Sequence, residues 1–301
     1  MKRLNLIFAA VICVVGIAVV SCTKENASTP QSITSAADAV QTDNAVVGIT
    51  DLIDDYQSIN TTAFVDPTLK AAGANTPVTI KGLRRDSCAT VTIVKTPTLT
   101  GTTITGATVT FKIDFGTTGC LGHDGKARRG TITSTFTWVK AGGWSRVSTI
   151  DLYVSDVHHV GTQASTFGVT GAFNHALFTE VTDLTITAKD GTWKKWSSNY
   201  QRELIEGNAG ATSAKIFKIT GSSTFSNSAG ETASYTITVP LTKPAACKTP
   251  TAGTVVVVNK AGVSTTIDYG TGTDCKTGVT IKFPGDKNGK GALSRFIKFG
   301  I

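Results

Sequence analysis

Two aspartates recur in matching surroundings. Asp114 lies within 109–120 (V-T-F-K-I-D-F-G-T-T-G-C) and Asp268 within 265–275 (T-T-I-D-Y-G-T-G-T-D-C). Two carboxylates on duplicated strands could make an acid/base pair or a cation site. Each, however, precedes an aromatic residue and a glycine, Phe115-Gly116 and Tyr269-Gly270. At such places a short carboxylate accepts hydrogen bonds from turn amides. A turn closing both copies explains the duplication better than a reaction does, so Asp114 and Asp268 are expected to be structural.

The other chemistry the repeat carries is that of sulfur. Cys88 and Cys120 bracket the first copy, Cys247 and Cys275 the second. An even number of cysteines in an oxidising compartment implies disulfides, and four cysteines allow three connectivities. In the second copy, pairing residue i with 522 minus i puts Lys260-Ala261-Gly262 at a hairpin tip, where Gly262 supplies the left-handed residue. Val255 and Val257 then oppose Ile267 and Thr265, and Cys247 comes opposite Cys275. In the first copy 91–94 runs out, 109–115 runs back, and the tip falls within 101–106. The expected bridges are Cys88–Cys120 and Cys247–Cys275. No C-x-x-C spacing favours a metal instead.

Other candidates are thin. His158 and His159 are adjacent in a strand pattern and so face opposite sides; His123 and His175 stand apart from them. No G-x-S-x-G, H-E-x-x-H or phosphate-binding glycine loop is present. Asp286-Lys287-Asn288-Gly289 opens like a calcium loop but lacks the closing glutamate and carries lysines, so it reads as a turn. Lys126, Arg128 and Arg129 follow Cys120 between Gly125 and Gly130. Turn glycines there would project them into solvent as a candidate anion-binding loop, or as a tip that merely keeps a hairpin soluble. Trp138, Trp144, Trp193 and Trp196, with Tyr153 and Tyr200, could offer stacking faces to a glycan. Trp193 and Trp196 lie three apart and face opposite ways, so at most one can join such a platform, and packing is the expected role for most. Nothing calls for a cofactor or a metal.

The elements that would position these residues are strands. In 109–115 the apolar residues Val109, Phe111, Ile113 and Phe115 alternate with Thr110, Lys112 and Asp114, the period of a half-buried strand. Residues 130–138, 147–154, 184–188, 193–205, 216–225, 233–239, 279–283 and 293–299 continue as strands separated by turn sequences, Asp190-Gly191 among them. Residues 35–56 form the one helix candidate, capped by Thr34 or Ser35. Its aspartates (Asp38, Asp43, Asp51, Asp54, Asp55) could pack near the basic sheet or simply be solvated, and solvation is the default expectation. The fold class is all-β: an antiparallel hairpin meander, as a curved sheet or a sandwich, with one N-terminal helix.

The chain opens with a basic Met1-Lys2-Arg3 and an apolar run over 6–20, a secretory signal too short to span a bilayer stably. Val19-Val20-Ser21-Cys22 resembles the bacterial lipobox, which implies lipidation at Cys22, where the thiol forms a thioether to a glyceride. Thr23 after the cysteine favours the outer membrane. The organisation read from this is signal peptide 1–21, polar tether 22–34, helix and lead-in 35–86, β region 87–246, and a second cysteine hairpin with C-terminal strands over 247–301. The last region is expected to pack with the one before it. Removing Lys2 and Arg3 takes the formal charge from +8 to +6, a balance suited to anionic partners. The cations are scattered, so nucleic acid is not expected.

D-F-G-T-T-G-C-L-G-H-D-G-K-A-R-R-G over 114–130, followed by a T-I-T strand, resembles a block found in uncharacterised Bacteroidota outer-membrane lipoproteins. The later D-Y-G-T-G-T-D-C matches a second block of that family, although Lys276 stands where an acidic residue is common. The likeness covers 86–299 and implies a lipid anchor and a β fold, with nothing on mechanism. The combined expectation is a lipid-anchored, non-catalytic outer-membrane protein that binds a glycan, an anionic surface or another envelope protein. The alternative is a carrier that shelters a lipid or another hydrophobic ligand in a curved sheet.

Overall fold

The chain was analysed as a computed structural model. It describes residues 38, 41–43, 45–54, 56, 77–83, 86–101, 103–122, 124–139, 143–170, 175–207, 215–247, 249–272, 274–275, 278–284 and 294–298. The signal, Cys22, the tether, His123 and the turn at 286–289 lie outside these residues.

Alternation with period two builds the strands, in chain order. They are β1 (Val78–Leu83), β2 (Asp86–Thr100), β3 (Thr103–Asp114), the two-residue β4 (Cys120–Leu121) and β5 (Ala127–Val139). Next come β6 (Trp144–Val154), β7 (Val157–Thr170), β8 (His175–Thr187), β9 (Trp193–Glu206) and β10 (Ile216–Asn227). The last are β11 (Thr232–Pro244), β12 (Ala252–Asn259), β13 (Ser264–Asp268), β14 (Gly278–Lys282) and β15 (Ser294–Lys298). Every strand pairs antiparallel with its neighbour in the chain, except that β3 pairs β5 directly and β4 is a side branch on β5. Among the described residues the result is one unclosed sheet in meander order, rather than the two sheets of a sandwich. β1 falls in the expected lead-in, where no strand had been read.

The repeat takes the expected register. Val255 opposes Ile267 and Val257 opposes Thr265, with Gly262 left-handed at the tip (φ 75°). In the first copy Val91 opposes Ile113 and Ile93 opposes Phe111. Both disulfides are formed as expected, Cys88–Cys120 and Cys247–Cys275, with Cα separations of 5.6 and 5.1 Å.

Helix α1 (38–56) lies on the inner face. Val46, Ile49, Leu52, Ile53 and Tyr56 are buried, whereas Gln41, Gly48 and Asp51 form an exposed stripe. A helix of this length spans about 28 Å. The inner-face core nevertheless extends from Val91 on β2 to Ile281 on β14, eleven strand steps along the sheet, or about 53 Å if flat. One helix cannot cover that width, so the sheet must roll around it. Inner-face glycines allow the bend. At Gly161 a Cβ would meet the carbonyl of Asp183, and at Gly221 (φ 126°) that of Asn199, both on the adjoining strand. Such close backbone approach is the usual meaning of glycine within a strand.

The inner face is not uniformly apolar. Ser134, Ser148, Gln163, Thr182, Ser198 and Ser223 are buried and follow one another across β5 to β10 in register. Ser134 and Ser148 share a hydrogen bond of 2.7 Å, and Gln163 Nε2 donates to Thr50 Oγ1 of α1 at 2.6 Å. The helix thus docks partly on a polar belt.

Candidate functional site

Asp38 and Asp54 hold α1 to the sheet, which corrects the expectation of solvation for these two, whereas Asp51 stays exposed and Asp55 lies outside the described residues. Asp54 accepts from Arg146 Nη1 at 2.6 Å, with the arginine side chain only 1% exposed. Arg146 also donates to Gln163 Oε1 at 3.1 Å and Ser165 Oγ at 3.2 Å. Asp38 pairs with Lys194 at 2.9 Å. These cations sit on inward-facing positions of β6 and β9, so they attract the helix toward the concave side.

Between α1 and β8–β13 lies a partly enclosed cavity of about 80 Å³. Its wall is mostly apolar: Val47 from the helix, then Trp196, Ile219, Ile237, Leu241, Val255 and Ile267 from the sheet. Tyr200, Tyr235 and Tyr269 add phenols, and Asp43, Glu180, Arg202 and Lys243 add charge. Burial pushes the Asp43 carboxyl up to about 6, with Lys243 pulling the other way. Burial also raises Glu180 against the opposing pull of Arg202, which it meets at 3.3 Å. The three phenols are pushed well above the usual tyrosine range, first by burial and then by the Asp43 charge, so they are neutral donors. Tyr200 donates to Ser223 Oγ at 2.9 Å.

Two donors in this wall lack partners among the described residues: Trp196 Nε1, on a side chain 1% exposed, and Arg202 Nε. Leaving such a group unsatisfied costs about 1–3 kcal/mol. Arg202 continues the cavity toward the sheet rim, lying over the rings of Phe178 (5.5 Å) and Phe217 (4.9 Å). Beyond it Phe178, Phe167, Trp144 and Phe136 follow one another in contact, with Trp144 stacked on Phe167 and the other pairs tilted. The cavity wall holds no serine, cysteine or histidine among the described residues.

Asp114 and Asp268 do what was expected of them. Asp114 Oδ1 accepts from the Gly116 amide at 2.9 Å and Asp268 Oδ1 from the Gly270 amide at 2.7 Å. Lys282 binds Asp268 at 2.6 Å, and this bond with the Gly270 amide holds that carboxyl below its usual range. The loop of Lys126, Arg128 and Arg129 departs from expectation. Arg128 turns inward and is 9% exposed, with Nη2 and Nη1 on the two oxygens of Asp124 at 2.6 and 3.0 Å. Arg129 pairs with Asp156 at 3.3 Å and lies 4.1 Å over Tyr153. Lys126 alone stays in the exposed turn as expected. An anion would have to compete with two carboxylates for the arginines.

His158 and His159 do face opposite ways. His158 stacks on Tyr153 and contacts Asp151 at 2.7 Å. His159 is buried, which lowers its pKa to about 4 with help from His158 and Lys126. Trp196 is core and Trp193 is 38% exposed. The aromatic residues divide between the two faces, so they form no common platform. Among the described residues no group of three or more His, Cys, Asp or Glu could hold a metal, and no helix is long and apolar enough to cross a membrane.

Sequence reasoning missed the cavity because its polar members, Glu180, Arg202 and Lys243, belong to inner-face positions that alternation assigns to apolar residues. A usable signal was present in β6, where Trp144, Arg146, Ser148, Ile150 and Leu152 share one face. Compared with known proteins, the chain matches no protein-family model, no curated protein and no solved structure.

Proposed function

We propose that the protein is a lipid-anchored, non-catalytic binding protein of the outer membrane, attached through Cys22. Its ligand is an apolar or amphipathic molecule held between α1 and the inner face of the rolled sheet. The observation that carries this reading is the cavity, enclosed on one side by a helix and lined chiefly by aliphatic and aromatic side chains. Concave, mostly apolar sites with a few converging polar groups are the usual form of small-molecule sites. At about 80 Å³ it is smaller than the 150 Å³ or so that holds benzene. A larger ligand must therefore displace α1 or extend past Arg202 along the aromatic row. The anionic-surface reading is weaker, because Arg128 and Arg129 are already paired. Contact with another envelope component through the outer face has one observation in its favour: Val147, Val160 and Val181 are 54%, 42% and 45% exposed on neighbouring strands.

The test is a detergent-free titration with N-phenyl-1-naphthylamine, whose fluorescence rises in apolar sites. Saturable binding that a membrane lipid extract displaces is expected, and a linear, non-saturable signal would remove the cavity reading. The anchor is checked separately by metabolic acyl labelling of Cys22→Ala, which should lose both the label and membrane attachment.

A further inference from the structure

Resting on that reading, the polar groups of the cavity narrow the chemistry of its ligand. Trp196 Nε1 and Arg202 Nε are buried donors without acceptors among the described residues, and both side chains line the cavity. An indole N–H can only donate, and a guanidinium offers no acceptor at all. A ligand that displaces water from these donors without bringing an acceptor of its own loses affinity.

The charges are already matched. Arg202 meets Glu180 at 3.3 Å and Asp54 at 3.7 Å, and Lys243 acts on Asp43. Two cations and two carboxylates in the wall leave no surplus positive charge to receive an anion. Burial also disfavours the ionised form of both wall carboxylates. A third carboxylate brought in by a ligand would meet the same desolvation and add repulsion.

We infer that the ligand is a neutral amphipath presenting an acceptor oxygen, as an ester or ketone does, and that a carboxylate anion is excluded. The ester carbonyl takes the Trp196 N–H, an orphan donor on the cavity wall, while the apolar part lies against the aliphatic wall.

The experiment compares methyl octanoate with sodium octanoate by isothermal titration calorimetry at pH 7.5 on the purified full chain. The ester is expected to bind about tenfold tighter or better. Trp196→Phe, which keeps a ring and removes the N–H, should weaken the ester by about five- to tenfold and leave octanoate unchanged. A carbonyl-¹³C-labelled ester bound to the unmodified protein gives a readout independent of any variant, since a hydrogen-bonded carbonyl absorbs at lower infrared frequency than one in hydrocarbon. A shifted band supports the inference, and an unshifted band overturns it. Equal or tighter binding of octanoate overturns it, as does a Trp196→Phe protein that folds and binds the ester normally. If N-phenyl-1-naphthylamine binds but neither octanoyl probe does, this inference falls alone. If none of the three binds, the cavity reading falls with it.

Discussion

Replacing Asp54 by alanine removes a carboxylate that pairs with the buried Arg146 guanidinium. The arginine side chain is 1% exposed and meets Asp54 at 2.6 Å. Removing one member of a buried pair costs about 3–5 kcal/mol. Two features reduce that here. Asp54 itself is 39% exposed, so part of its field is already screened, and Arg146 keeps its bonds to Gln163 and Ser165. About 2–3 kcal/mol remains, which for a domain of this size lowers Tm by roughly 4–12 °C. The assay is urea and thermal unfolding by circular dichroism with the disulfides intact. Asp183→Ala is the control. It breaks the Lys195–Asp183 pair, whose side chains are 50% and 53% exposed, and should change stability by less than about 1 kcal/mol. Asp54→Ala combined with Arg146→Met should cost less than the two single changes summed, because the two side chains share one interaction. If Asp54→Ala proves no more damaging than Asp183→Ala, the ion pair does not hold the helix and the reasoning is refuted.

Two further outcomes follow from the covalent and acid–base groups. Each disulfide closes a loop, of 32 and 28 residues, and in the chain-entropy account contributes about 3.7 and about 3.6 kcal/mol. Cys88→Ser/Cys120→Ser should therefore shift the urea midpoint strongly, and non-reduced peptide mapping of the unmodified protein should show no link between the two pairs. Asp43, raised from 3.8 to about 6, binds its proton more tightly folded than unfolded, so stability falls as pH rises between those values and stays lower above them. Asp43→Asn should be more stable than the unmodified protein at pH 8, by at most about 3 kcal/mol, with the difference vanishing near pH 3.5. An equal difference at both pH values would mean that the carboxyl does not titrate as described.

What the sequence disclosed, it disclosed through local rules. The second hairpin's register was legible because Gly262 marks the turn and Val255 and Val257 mark the buried face. The disulfides then followed from that register, and the two aspartates from their place before a glycine. What stayed hidden depends on contacts distant in the chain. Arg146 meets Asp54 across 92 residues, and residue type alone, without the period of Ile150 and Leu152, would send Arg146 outward and Val147 inward. The structure does the reverse, leaving Val147 54% exposed, because the helix supplies a carboxylate where a flat sheet would present none. Arg128 was misread for a similar reason. The branch strand β4 precedes the turn that brings Asp124 against it, and no composition rule signals that pairing. The roll of the sheet was also hidden, since Gly161 and Gly221 read as ordinary turn or strand glycines until the neighbouring backbone is seen.

The central claim is that a ligand enters between α1 and the sheet, and a side chain that fills that space tests it most directly. Val47 lies on the helix and lines the cavity of about 80 Å³, so Val47→Trp should occupy it. N-phenyl-1-naphthylamine is titrated into the unmodified protein, Val47→Trp and Lys126→Ala, with thermal melts confirming that all three are folded. Binding is expected to fall at least about tenfold in Val47→Trp and to stay unchanged in Lys126→Ala. Undiminished affinity in a folded Val47→Trp protein would contradict the account.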